Sequence, residues 1–236
     1  MRTTAIVLMG VLAAGWVAGR PWDIRSPNLE PPRGGKPRPP VMVPPDATTN
    51  LALGCRVTAS AEPTFVHTKI EYDTEPLGGL PCVTDGEKEL DAERVSLPAG
   101  TQWVQIDLGK TQEIWAICIW HEYGIPYVYH DVVVQLSSDL GFTDGVVTVF
   151  NNDHDNSSGL GIGADKEYIE TNEGRFIAVE GLRARYLRFY SKGNVIRKET
   201  NRYIEIEVYG RAYSDAPPKD EPRVPLKVEL PKPGFM

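Results

Sequence analysis

The segment Gln102–Lys110, QWVQIDLGK, alternates apolar and polar residues with a period of two. Val104, Ile106 and Leu108 fall on one side, Gln105 and Asp107 on the other. That period belongs to a strand with one buried face; a helix would scatter the same side chains around its axis. The β-branched Val and Ile reinforce the strand. Each apolar side chain contributes about 1.5–3 kcal/mol when fully buried, so the chain must supply a second layer for them to pack on. Gly109 permits a tight turn, and a second run, Glu113–Trp120, returns from it.

About eight such runs are predicted: Cys55–Ser60, Trp103–Leu108, Glu113–Trp120, Asp131–Ser137, Gly145–Phe150, Arg175–Val179, Arg185–Tyr190 and Tyr203–Tyr209. Val132, Val134 and Leu136 alternate cleanly, as do Ile204, Ile206 and Val208. No run of helical period rivals them. Short strands separated by turn signals predict an all-β, antiparallel sandwich or barrel.

The connections carry the functional expectation. Gly109–Gln112, Ser138–Asp144 and Glu180–Ala184 are short. Ala61–Gln102, His121–His130, Asn151–Gly174 and Ser191–Arg202 are long. Short and long alternate, so antiparallel strands should place all the long ones at one end. Long loops on a rigid sandwich are where binding surfaces sit. The first of them could equally cap the core with irregular structure.

A chain of 236 residues with 41% hydrophobic composition supports one core. Its net charge of -7 argues against nucleic acid as a partner, since phosphate binding needs a basic patch. Arg2, the apolar stretch Ile6–Val17 and the small-residue pattern Val17-Ala18-Gly19 read as a signal peptide over residues 1–19. That stretch is too short for a membrane span, and no integral span is expected. The protein is therefore expected to be secreted or extracytoplasmic. Residues 20–49, with PPRGGKPRPPVMVPP, read as a proline-rich linker, and 212–236 as a proline-rich tail in which Leu226–Leu230 could form one edge strand. The folded domain is expected over 50–211. Export makes a disulfide expected. Cys55 and Cys82 lie beside the first strand and its following loop and are expected to pair, contributing about 3–4 kcal/mol. Cys118, within a strand, is expected to be a packed free thiol.

Several segments together resemble a known family. Asn50-Leu51-Ala52-Leu53-Gly54, Val57-Thr58-Ala59-Ser60, Thr84-Asp85-Gly86, Gln102–Lys110, Arg185-Tyr186-Leu187-Arg188 and Glu205–Gly210 occur in the order seen in discoidin domains, also called coagulation factor 5/8 type C domains. The resemblance implies a galactose-binding-like jelly roll that is not catalytic. Such domains bind glycans, phospholipid surfaces or proteins through loops at one end. It also implies a structural calcium held by Asp85 and Glu205, whose hard oxygen ligands suit the ion. Two features depart from the family. No Cys follows Cys118 to join the domain ends, and the insertion Asn151–Gly174 is long and acidic.

Trp120, His121, Tyr123, Tyr127 and Tyr129 cluster in and beside one long connection, with Glu122, Arg197 and Arg202 expected at the same end. Aromatic faces stack on sugar rings while carboxylates and Arg take hydroxyls, so these eight are the candidate ligand residues. The alternative is that the aromatics pack beneath the loops. Asp153-His154-Asp155-Asn156 is a further cluster of cation ligands, without the spacing of an EF-hand. No GxSxG elbow and no zincin motif is present, and Gly159–Gly163 lacks the strand and helix that a dinucleotide fingerprint needs. The expected function is that of a secreted, non-catalytic module binding carbohydrate. The other reading is a structural or adhesive module that meets another protein.

Overall fold

A computed structural model describes residues 26, 28–31, 36, 38–64, 77–198, 200–215 and 221–233. The expected signal peptide lies outside them. The strands are β1 (Met42–Val43), β2 (Thr49–Asn50), β3 (Arg56–Ala59), β4 (Val95–Leu97), β5 (Gln102–His121), β6 (Val133–Ser137), β7 (Val147–Asn151), β8 (Arg175–Ser191), β9 (Asn201–Ala212) and β10 (Val224–Pro225). A 3-10 turn, Leu80–Thr84, precedes β4. All pairings between these strands are antiparallel. The main sheet runs β2-β9-β5-β8-β6-β7, with β3 on β5 and β4 on β9. The expected all-β antiparallel sandwich is the observed fold.

β5 and β8 each take in two of the expected runs. The turn at Gly109, whose φ is 77°, shifts the ladder without ending it: Asp107 faces Tyr186, then Gln112 faces Ala184. Side-chain parity also changes within β5. Val104, Ile106, Leu108 and Ile114 face the main core, and after the irregularity at Ala116, Ile117 and Ile119 face it instead. Both halves of one long strand therefore line the same core, as the two layers of a jelly roll.

The ladder sorts the connections. The rung Asp107–Tyr186–Ser137 leads into the three tight turns. The rung Trp103–Tyr190–Val133, at the other end, leads into the long connections. Asp107 is tied to Arg185 by two bonds of 2.7 and 2.9 Å, which hold its carboxyl below the usual range and staple the turn pole.

The proline-rich segments depart from their expected role as spacers. β1 and β10 pair with each other, and Val43, Ala47 and Leu226 pack on Trp115, Ala116 and Tyr209 of the outer layer. The run Ile114–Trp120, IWAICIW, is apolar at every position, so both faces of this strand need cover. The tails supply it, and the folded unit extends beyond 50–211. Arg211 holds the arrangement together. Its guanidinium reaches Asp46 of the first tail (2.8 Å), Glu113 of β5 (2.8 Å) and Glu221 of the second tail (2.7 Å). In an Arg211→Ala variant, the amides of Val43, Ala47 and Leu226 should exchange at least about tenfold faster, as several charge-assisted bonds are lost together. The β5–β8 ladder should stay protected. Hydrogen exchange by mass spectrometry reads both, and unchanged tail protection would contradict the role of Arg211.

Candidate functional site

The four long connections are knitted to one another at one pole. The β5–β6 connection, residues 122–132, bonds to the β8–β9 connection, residues 192–200, through His130 N–H to Gly193 O (3.0 Å), Lys192 N–H to His130 O (2.9 Å) and Val195 N–H to Val128 O (3.0 Å). It also meets the β7–β8 connection, residues 152–174, through Glu170 N–H to Tyr127 O (2.8 Å) and Asn152 N–H to Val132 O (3.1 Å). Arg94, at the end of the β3–β4 connection, reaches Glu122.

Beneath these loops lies a centre of buried charge. The Glu122 carboxylate accepts from Arg94 Nη1 (3.2 Å) and from Arg202 Nη1 (3.1 Å). Arg94 is further held by the Leu90 carbonyl at 2.6 Å. Next to it, His121 Nδ1 lies 2.7 Å from Glu170 Oε1, and both residues are buried. The His121 ring stacks on Tyr129 with centroids 4.3 Å apart and tilts against Tyr203 at 4.8 Å. Burial and the neighbouring Glu122 and Glu170 push the Tyr129 hydroxyl far above its ordinary pKa. One carboxylate between two guanidiniums in a dry interior fixes the relative position of three chain segments.

This burial corrects the expected ligand set. Trp120, His121, Glu122, Tyr123, Tyr127, Tyr129 and Arg202 are all buried, at 0–6% exposure. They form the floor of the pole rather than its surface. Trp120 donates its indole N–H to Asn172 O (3.0 Å) and lies against Gly174, where a Cβ would come within 2.7 Å of the ring. Tyr123 donates to Lys88 O (3.0 Å), and burial pushes its hydroxyl to about 12. β5 runs on to His121, so Trp120 and His121 belong to a strand covered on both faces. Arg197 is half-buried at the pole, on a turn that the Asn194 side chain fixes by accepting from the Ile196 and Arg197 amides. The rim of the long connections includes exposed Lys198, half-buried Ile125 and Pro126, and Ile169 and Ile162 at 39% and 75% exposure, among exposed polar residues such as Asp155, Asn156 and Lys166. Sequence reasoning missed Arg94 and Glu170. They lie 28 and 49 residues from their partners, so no local spacing marks them.

Among the described residues, two places bear on metal binding. Glu205, from β9, is fully buried, and its carboxylate has no side-chain partner; the one donor facing it is the Gly86 amide. Burial pushes its pKa to about 9; Glu207 and Asp85 add to this, while the Gly86 amide offsets only part. A buried, unpaired carboxylate beside the Asp85 turn fits a cation site, since a cation would supply the missing partner. The exposed Asp85 caps the same turn by accepting from Glu87 N–H (2.8 Å). Elsewhere Asp131, Asp153 and Asp155 bring ligand atoms within 4.8 Å of one another, and this triad could hold a metal ion. Burial raises Asp153, but the Ser158 hydroxyl and the Ser158 and Ser157 amides outweigh it and hold its pKa below the usual value.

The expected Cys55–Cys82 bridge is not formed, and all three cysteines are free thiols. The Cys55 thiol donates to Leu51 O (3.2 Å), while Cys82 is buried in the 3-10 turn with its pKa pushed to about 12 by burial. Cys118 is a buried free thiol.

No protein-family model matches this chain, and neither does any curated protein. Among solved structures it is similar to chitosan-binding module 1 of a chitosanase/glucanase from Paenibacillus sp. IK-5. That match has 21% identity over 69% of this chain and 99% of the other, with a TM-score of 0.45. It is also similar to the CBM32 of AlyQ in complex with 4,5-unsaturated mannuronic acid (19% identity, 65% of this chain, 92% of the other, TM-score 0.40). A third is a fucolectin from the serum of Morone saxatilis, striped bass (16% identity, 69% of this chain, 49% of the other, TM-score 0.43).

Proposed function

We propose that this chain is a secreted, non-catalytic, discoidin-like module that binds carbohydrate at the long-connection pole. The observation that carries the reading is the gathering of four long connections on one rigid, internally salt-bridged floor. Such a floor pre-organises the loops, so little ordering cost remains at binding. The ligand class follows from the discoidin-like motifs. Arg197 and Lys198 supply donors for sugar oxygens, and the aliphatic rim packs on ring C–H groups. A structural calcium at Glu205 and Asp85 belongs to the same reading. Among the described residues, no helix is long and apolar enough to cross a membrane. The exposed Ile162 and Ile169 favour a second reading, contact with another protein.

A glycan array probed with the full chain, with and without calcium, tests the proposal. Binding to a defined glycan set is expected. Arg197→Ala should weaken it about tenfold or more, the worth of a charged hydrogen bond. A blank array together with a stable protein partner in pull-down would favour the second reading. Turnover of a polysaccharide would overturn the non-catalytic assignment.

A further inference from the structure

The docked tails and the start of β8 enclose a groove of about 290 Å³. This is close to the lower end of the range for small organic ligands. Its apolar lining comes from Val41, Phe176, Leu226, Val228 and Leu230. Phe176 is held edge-on against Trp120, with centroids 6.4 Å apart. Pro39 and Pro40 form a stiff wall, because each ring fixes its own φ. The tails are pinned on either side of the groove: Leu226 N–H bonds to Val41 O (2.8 Å), and the Asn172 side chain bonds to Pro231 O (2.8 Å). The groove is thus preformed.

Three charged side chains line it: Arg38, Glu173 and Lys227. Arg38 Nε lies 3.5 Å from Glu173 Oε2, so these two answer each other. Lys227 is exposed and leaves the lining with one net positive charge, in a chain whose own net charge is -7. Four of these five apolar side chains are aliphatic and only Phe176 is aromatic, and among the described residues no Ser, Thr, Asn or Gln side chain lines the groove. That composition suits an acyl chain better than a sugar ring. Of these residues only Glu173 lies in one of the long connections, at its end next to β8.

We propose that this groove binds a short aliphatic monocarboxylate, its chain laid on Phe176, Leu226 and Val228 and its carboxylate at Lys227. Isothermal titration of the full chain with sodium octanoate tests this. Saturable one-to-one binding is expected. Octanamide, which has the same length and no charge, should bind about threefold more weakly, the scale of one exposed ion pair. Lys227→Gln should weaken octanoate by the same factor and leave octanamide unchanged. Val228→Trp, which fills the groove, should abolish both. Absence of saturable octanoate binding, equal affinity for octanamide and octanoate, or full affinity in Val228→Trp would overturn the proposal. Glucuronate binding in octanoate's place would overturn the aliphatic class. A blank glycan array leaves this site intact, so the two proposals fail separately.

Discussion

Glu122→Ala should melt about 6–20 °C below the parent protein. Removing one partner of a buried ion pair costs about 3–5 kcal/mol, because it strands the opposite charge in a dry interior. Here two buried guanidiniums, those of Arg94 and Arg202, 3% and 2% exposed, lose the carboxylate they share. For a domain of this size each kcal/mol moves the melting temperature by about 2–4 °C. The damage should be local in origin, since Glu122 joins the end of the β3–β4 connection to β9 and the β5–β6 connection. The triple variant Glu122→Leu, Arg94→Met, Arg202→Met removes all three charges together and should recover most of the loss. Calorimetric melting of the two variants decides the matter. A Glu122→Ala protein melting within 2 °C of the parent, by the same scale, would mean that the triad does not hold the pole.

Calcium added to chelator-treated protein should raise the melting temperature by about 5–10 °C. A ligand at a hundred times its dissociation constant stabilises by about 2.7 kcal/mol, which sets that scale. Glu205 is the reason to expect the effect, because its buried carboxylate has no side-chain partner inside the protein. Glu205→Gln should abolish the shift and, in chelator, should be at least as stable as the parent. Asp153→Asn is the control. If its melting curve loses the calcium response while Glu205→Gln keeps it, the ion sits at the aspartate triad instead.

Much of the architecture was legible because period-two alternation is a local signal. Val104, Ile106 and Leu108 face the core as their spacing predicts, and so do Ile206 and Val208. The pole was legible for a topological reason, since loop lengths alternate along an antiparallel chain. The surface of that pole was not. Trp120 and His121 look like loop aromatics only if the strand ends before them, and their burial depends on Tyr129 and, about 50 residues further along the chain, on Glu170 and Gly174. The docking of the tails was partly legible, since IWAICIW offers no polar face and requires a cover on both sides. Its cover comes from Val43 and Leu226, about 70 and 110 residues away, beyond the reach of any local pattern. Glu122 between Arg94 and Arg202 is equally non-local, and a lone Glu beside a strand end carries no mark of its two partners.

The most direct measurement is an amide chemical-shift map, by two-dimensional NMR, of the full chain titrated with a glycan that binds on the array. Shifts confined to residues 122–132, 152–174 and 192–200 are predicted. Shifts clustered instead on the turn pole, around 109–112, 138–146 and 180–184, would contradict the account.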